Sequence, residues 1–88
     1  MYNKILEVNF VNKYNGKSNI SSEIIQKYRL ENDLSLEQLS NKLQLKGVIL
    51  YPNDLFLIEK GKRIVKDFEL LSLCNILDID LKDVRKLL

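Results

Sequence analysis

The residues best equipped to do chemistry in this chain are cations. Lys60, Lys62, Arg63 and Lys66 crowd one short stretch, and Lys42 and Lys46 lie shortly before it. Such a cluster suits a polyanion, because each phosphate that a lysine or arginine neutralises releases condensed counterions. Covalent and proton-transfer chemistry finds little here. Histidine is absent, which removes the commonest general base and metal ligand. Gly61-Lys62 invites comparison with a phosphate-binding loop, but that motif needs glycine where Phe56 stands and Ser or Thr where Arg63 stands. Asp78, Asp80 and Asp83 form a small acidic group. A calcium loop would need Asp or Asn at Lys82 and Gly at Asp83, so these read as capping and solvated carboxylates. Cys74 stands alone in an apolar helical run, which excludes an internal disulfide and a cysteine-rich zinc site. It reads as a small buried hydrophobe in a reducing cytoplasm. No catalytic residue, metal or cofactor is expected, and the class of function left standing is binding.

A chain of 88 residues with 45% hydrophobic content makes one domain with a modest core. The net charge of +2 is only mildly basic, so the local distribution of charge has to carry any argument for nucleic acid. No apolar run is long enough for a signal peptide or a membrane span, and charges recur throughout. The expectation is a soluble, cytoplasmic protein with no membrane partner.

The elements that would position the cations centre on residues 35–63. Ser35 followed by Gln38 is a capping box, and Leu34 with Leu39 supplies the matching hydrophobic staple. Leu39 and Leu43 then share one helix face, leaving Glu37, Ser40, Asn41, Lys42 and Gln44 for the others. Gly47 interrupts that period, and Pro52 suits the first turn of a second helix that carries Leu55 and Ile58 inward. Gly61 fits the left-handed position after it, with Lys60, Lys62 and Arg63 around the negative end of the dipole.

Around this pair, Ser21 or Ser22 caps an earlier helix with Ile24, Ile25 and Tyr28 inward, ending near Asn32-Asp33. A later one runs from Lys66 or Asp67 to Leu77, with Leu70, Leu73, Cys74 and Leu77 at helical spacing and Phe68 and Leu71 broadening the apolar face. Asp80 caps a final turn or two bearing Leu81, Val84, Leu87 and Leu88, which complete the core or join a dimer contact. Residues 1–20 differ in pattern. Leu6, Val8 and Phe10 alternate with polar residues as in a strand, Asn15-Gly16 is a hairpin-turn dipeptide, and Lys17 to Ile20 would form a short polar return. Such a hairpin must pack on the helices or pair with another chain.

From Ile25 to Val84, roughly two thirds of the chain, the pattern resembles the Cro and lambda-repressor-like (XRE) helix-turn-helix family. The carriers are Tyr28-Arg29, Leu34-Ser35, the run LEQLSNKL, the stretch Ile58-Glu59-Lys60-Gly61-Lys62-Arg63, and FELLSLCNILDIDLKDV. Three departures stand out: Leu36 where the family usually has Gln, Ser40 where it usually has Ala, and a turn longer by a few residues, KGVILYPND. The resemblance implies a mainly α protein, a lambda-repressor-like bundle of four to five helices with an N-terminal β-strand or hairpin arm. The arm would be residues 1–20 and the helix-turn-helix domain residues 21–88.

The resemblance also implies a sequence-specific DNA-binding transcriptional regulator, a dimeric repressor whose second motif helix enters the major groove of double-stranded DNA. Its outward residues would be Pro52, Asn53, Asp54, Phe56 and Leu57, a further departure in being poor in base-reading side chains, and its phosphate contacts Lys42, Lys46, Lys60, Lys62, Arg63 and Lys66. Asn53 is the best base reader because an amide pairs bidentately with adenine, and Phe56 and Leu57 could meet thymine methyl groups. The competing reading is a protein-interaction module on the same fold, without DNA readout, that binds a protein through Phe56, Leu57, Tyr51 and the arm. Leu36, Asp54 and the apolar outward face favour that alternative.

Overall fold

Helix boundaries in this protein follow from where the backbone finds caps. The computed structural model describes residues 16–87, which form α1 (Ser22–Glu31), α2 (Leu36–Leu45), α3 (Pro52–Glu59), α4 (Asp67–Leu77) and α5 (Leu81–Arg85). The mainly helical class is as the sequence implied. The strand expected from Leu6 to Phe10 and the turn residue Asn15 lie outside the described residues, and Lys17–Ile20 does not form the returning strand.

At the start of α2 both halves of the capping box are made: Gln38 N–H donates to Ser35 Oγ at 3.0 Å, and Ser35 N–H to Gln38 Oε1 at 2.9 Å. Pro52 opens α3, where Asp54 reaches back to accept the Tyr51 N–H at 2.9 Å. Gly61, at φ +73, lets the chain leave α3 through paired reverse hydrogen bonds, Lys62 N–H to the Leu57 carbonyl and Gly61 N–H to that of Ile58. Ser21 departs from its expected capping role. It precedes α1 without a side-chain cap, and its own N–H donates to Asn19 Oδ1 at 3.0 Å.

Ile24 and Ile25 of α1, Leu39 and Leu43 of α2, Leu55 and Ile58 of α3, and Leu73 and Leu77 of α4 meet in one core. Val48, Leu50 and Ile79 from the connections close it. Each fully buried aliphatic side chain contributes about 1.5–3 kcal/mol relative to exposure. Val84 and Leu87 lie partly buried against this cluster, which places the last helix on the core, and Tyr28 fixes its start by donating to Asp83 while accepting the Asp80 N–H.

Two expectations are corrected by the packing. Phe68 and Leu71 do not widen the inward face of α4; they are 52% and 70% exposed, because Leu73 and Leu77 already fill the side that meets the core. Ser40, assigned to the outer faces of α2, is buried, and its hydroxyl donates to the Leu50 carbonyl at 2.6 Å. The Ser40 hydroxyl thus anchors the long turn to the helix before it.

Candidate nucleic-acid interface

The two helices of the motif meet across residues 46–51, and α3 is held by the burial of Leu55 and Ile58 on one side. Its other side carries Pro52, Asn53 and Phe56, all exposed, while Asp54 and Leu57 are half-buried at its edges. Tyr51 and Ile49, in the approach to α3, are 67% and 55% exposed and line a shallow depression with Ser40, Gln44 and Leu50. Leu45, at the end of α2, is 88% exposed. Of the outward face that the sequence implied, Pro52, Asn53 and Phe56 are open while Asp54 and Leu57 are not, and the turn adds apolar surface to it.

The cations divide into two kinds. Lys42, Lys46, Lys60, Lys62 and Lys66 are exposed, and none of their ammonium groups lies within ion-pair distance of a carboxylate among the described residues. Lys60 places its ammonium 5.5 Å from the centre of the Phe56 ring, and Lys66 lies 6.0 Å from that of Phe68.

Arg63 differs from them. Its guanidinium forks onto Glu69, Nη1 to Oε1 at 3.0 Å and Nη2 to Oε2 at 3.2 Å, with a further bond to the Ile64 carbonyl. Asp54 Oδ1 lies 4.0 Å from its Nε. Burial pushes the Glu69 carboxyl up, but the Arg63 fork and the Lys66 N–H together outweigh it and hold the group below its ordinary value. Arg63, expected on the phosphate side, is committed to the junction between α3 and α4.

Asp54 departs from the sequence expectation in the same way. It stands at the third position of α3, where its carboxylate completes the helix start, so it is not free to face outward.

Several residues that hold the site together have partners that the sequence does not signal. Arg29 of α1 forks onto Glu59, the last residue of α3, with Nε to Oε2 at 2.6 Å and Nη2 to Oε1 at 3.0 Å, and its Nη1 donates to the Leu34 carbonyl. The Glu59 side chain is 3% exposed and that of Arg29 11%. Hydrogen bonding to Glu59 raises the Arg29 pKa further above its ordinary value.

Asn19 supplies the second restraint. Its Nδ2 donates to the Ile58 carbonyl at 3.1 Å and the Arg63 carbonyl at 2.9 Å, while Ser18 N–H donates to the Gly61 carbonyl at 2.7 Å. The chain before α1 is thus strapped across the C-terminal end of α3. Lys17 runs so close that a Cβ at Gly61 would stand 2.6 Å from its Cγ. Tyr28-Arg29 and Ile58-Glu59 belong to the stretches that carry the family resemblance, yet pairing across that distance has no local signal; Asn19 has none at all.

Comparison of the chain with family models, with curated proteins and with solved structures gives no match.

Proposed function

We propose that the chain is a DNA-binding regulator of the helix-turn-helix type, with α2 and α3 as the motif and α3 as the helix that enters the major groove. The observation that carries this reading is the combination of an exposed outer face on α3 with five lysines around the motif, Lys42, Lys46, Lys60, Lys62 and Lys66, that form no ion pair among the described residues. Base contacts and phosphate contacts need these two kinds of surface next to one another. Action as a repressor and as a two-fold dimer on a two-fold operator belongs to the same proposal and rests on the resemblance to the XRE family.

Fluorescence anisotropy of labelled duplexes at two or more salt concentrations tests it. The wild type should bind with a steep salt dependence, and Lys60→Ala with Lys62→Ala should flatten the slope by roughly 0.9 for each phosphate that is no longer neutralised. A slope unchanged by the double substitution would remove the phosphate role of these lysines.

The second reading, a module that binds protein, draws on the apolar exposure of Leu45, Ile49, Tyr51 and Phe56. Under it, DNA affinity is weak and unselective, and Phe56→Ala abolishes binding to a protein partner that salt barely affects.

A further inference from the structure

Resting on the DNA-binding reading, the base preference of α3 can be argued from which of its side chains are already occupied. Guanine is read in the major groove by Arg or Lys, cytosine by Asp or Glu, adenine by Asn or Gln, and the thymine methyl by apolar groups. The cytosine reader on this helix is Asp54, and its carboxylate is spent on the Tyr51 N–H. The arginine nearest the helix end is Arg63, and its donors are forked onto Glu69. No residue from Pro52 to Glu59 is Lys or Arg, and Glu59 is buried against Arg29. Lys60, the first cation beyond the helix, lies over the Phe56 ring. What remains outward, besides Pro52, is the Asn53 amide, the Phe56 ring, Tyr51 and the Ile49 side chain.

From this set we infer that the open face of α3 takes A·T-rich duplex DNA, with Asn53 on adenine N6 and N7 and Phe56 against thymine methyl groups. On the helix and at its end, Asp54, Glu59 and Arg63, which could recognise G·C pairs, serve as internal fasteners, and the open lysines lie outside the helix itself. Specificity on this face is then limited to the adenine N6 donor and N7 acceptor and the thymine methyl groups, and the lysines add affinity without choosing a sequence.

Selection of bound duplexes from a randomised pool, using the full chain, followed by base-analogue substitution in an enriched duplex, tests the inference. A·T pairs should be enriched at contiguous positions. Replacing thymine by deoxyuridine removes only the C5 methyl, and should weaken the wild type about fourfold at each position facing Phe56. Replacing adenine by 7-deazaadenine should weaken it roughly five- to 150-fold at the position facing Asn53, and Asn53→Ala should erase that difference. The wild-type responses need no variant, so a folding defect cannot mask the outcome. Enrichment of G·C pairs, or tight binding indifferent to both analogues, overturns the A·T assignment and leaves the DNA-binding reading in place. Failure to bind any duplex at low salt overturns both.

Discussion

The C-terminal end of α3 is tied down by side chains from elsewhere in the chain, while the Asn53 and Phe56 side chains on its outer face make no hydrogen bond or ion pair within the described residues. At the tied end Asn19 and Ser18 hold the backbone from Ile58 to Arg63, and Arg29 forks onto Glu59. On the open face Asn53 and Phe56 stand free of such restraints and five lysines flank them. Residue type alone does not separate the two regions. Arg63 and Lys62 are neighbours of like charge, yet one is a fastener and the other is open to solvent.

The comparison breaks most decisively at Glu59. Glu59→Ala leaves the Arg29 guanidinium buried without its carboxylate, and should lower unfolding free energy by about 3–5 kcal/mol. Urea denaturation measures this. A loss below about 1 kcal/mol would mean that the pair behaves as an exposed one.

An intermediate effect is expected from acid. The Glu69 carboxyl is held below its ordinary value in the folded chain, where the Arg63 fork and the Lys66 N–H outweigh its burial. A depressed carboxylate contributes stability above its unfolded pKa and loses that contribution as pH falls through the folded value. Stability in urea should therefore drop below about pH 4.5. Asp83, lowered chiefly by the Tyr28 hydroxyl, adds to the loss in the same direction. Arg63→Ala separates the two: it should shrink the acid-dependent part due to Glu69 and leave that of Asp83. An unchanged pH profile would show that Arg63 is not what holds Glu69 ionised.

The smallest effect belongs to the open face. Asn53→Ala should change folding stability by no more than about 0.5 kcal/mol, because an exposed side chain without partners has little to lose. A destabilisation well beyond that, read from the same urea curves, would place the amide among the structural groups.

How much is legible in the sequence depends on how locally each feature is encoded. Ser35 with Gln38, Pro52, Gly61 and Asp80 mark helix ends through neighbours within a few positions, and the starts of α2, α3 and α5 and the end of α3 follow from them. Leu39, Leu43, Leu55 and Ile58 repeat at a spacing that only burial explains. Phe68 and Leu71 repeat just as well and are exposed, since a short helix apolar on several sides does not say which side meets the core. The partners of charged and amide groups are illegible for a different reason. Arg29 and Glu59 are 30 residues apart, and nothing in the sequence distinguishes a charge that will find such a partner from one that will face water. The candidate site is thus readable as a set of residue types, and its division into fasteners and free groups is not.

The strap before α1 has a consequence for motion. The Asn19 amide closes loops of 39 and 44 residues in one grip, and Ser18 adds a backbone bond to Gly61 beside it. The entropy of joining chain ends grows only with the logarithm of loop length, so neither closure is much harder than the other, and both open together when the grip is released. The Ser18 amide, held by the Gly61 carbonyl, and the Gly61 and Lys62 amides beside it are then expected to exchange with solvent deuterium at a common rate, so that the first described residues and the last turn of α3, remote in sequence, open as one unit.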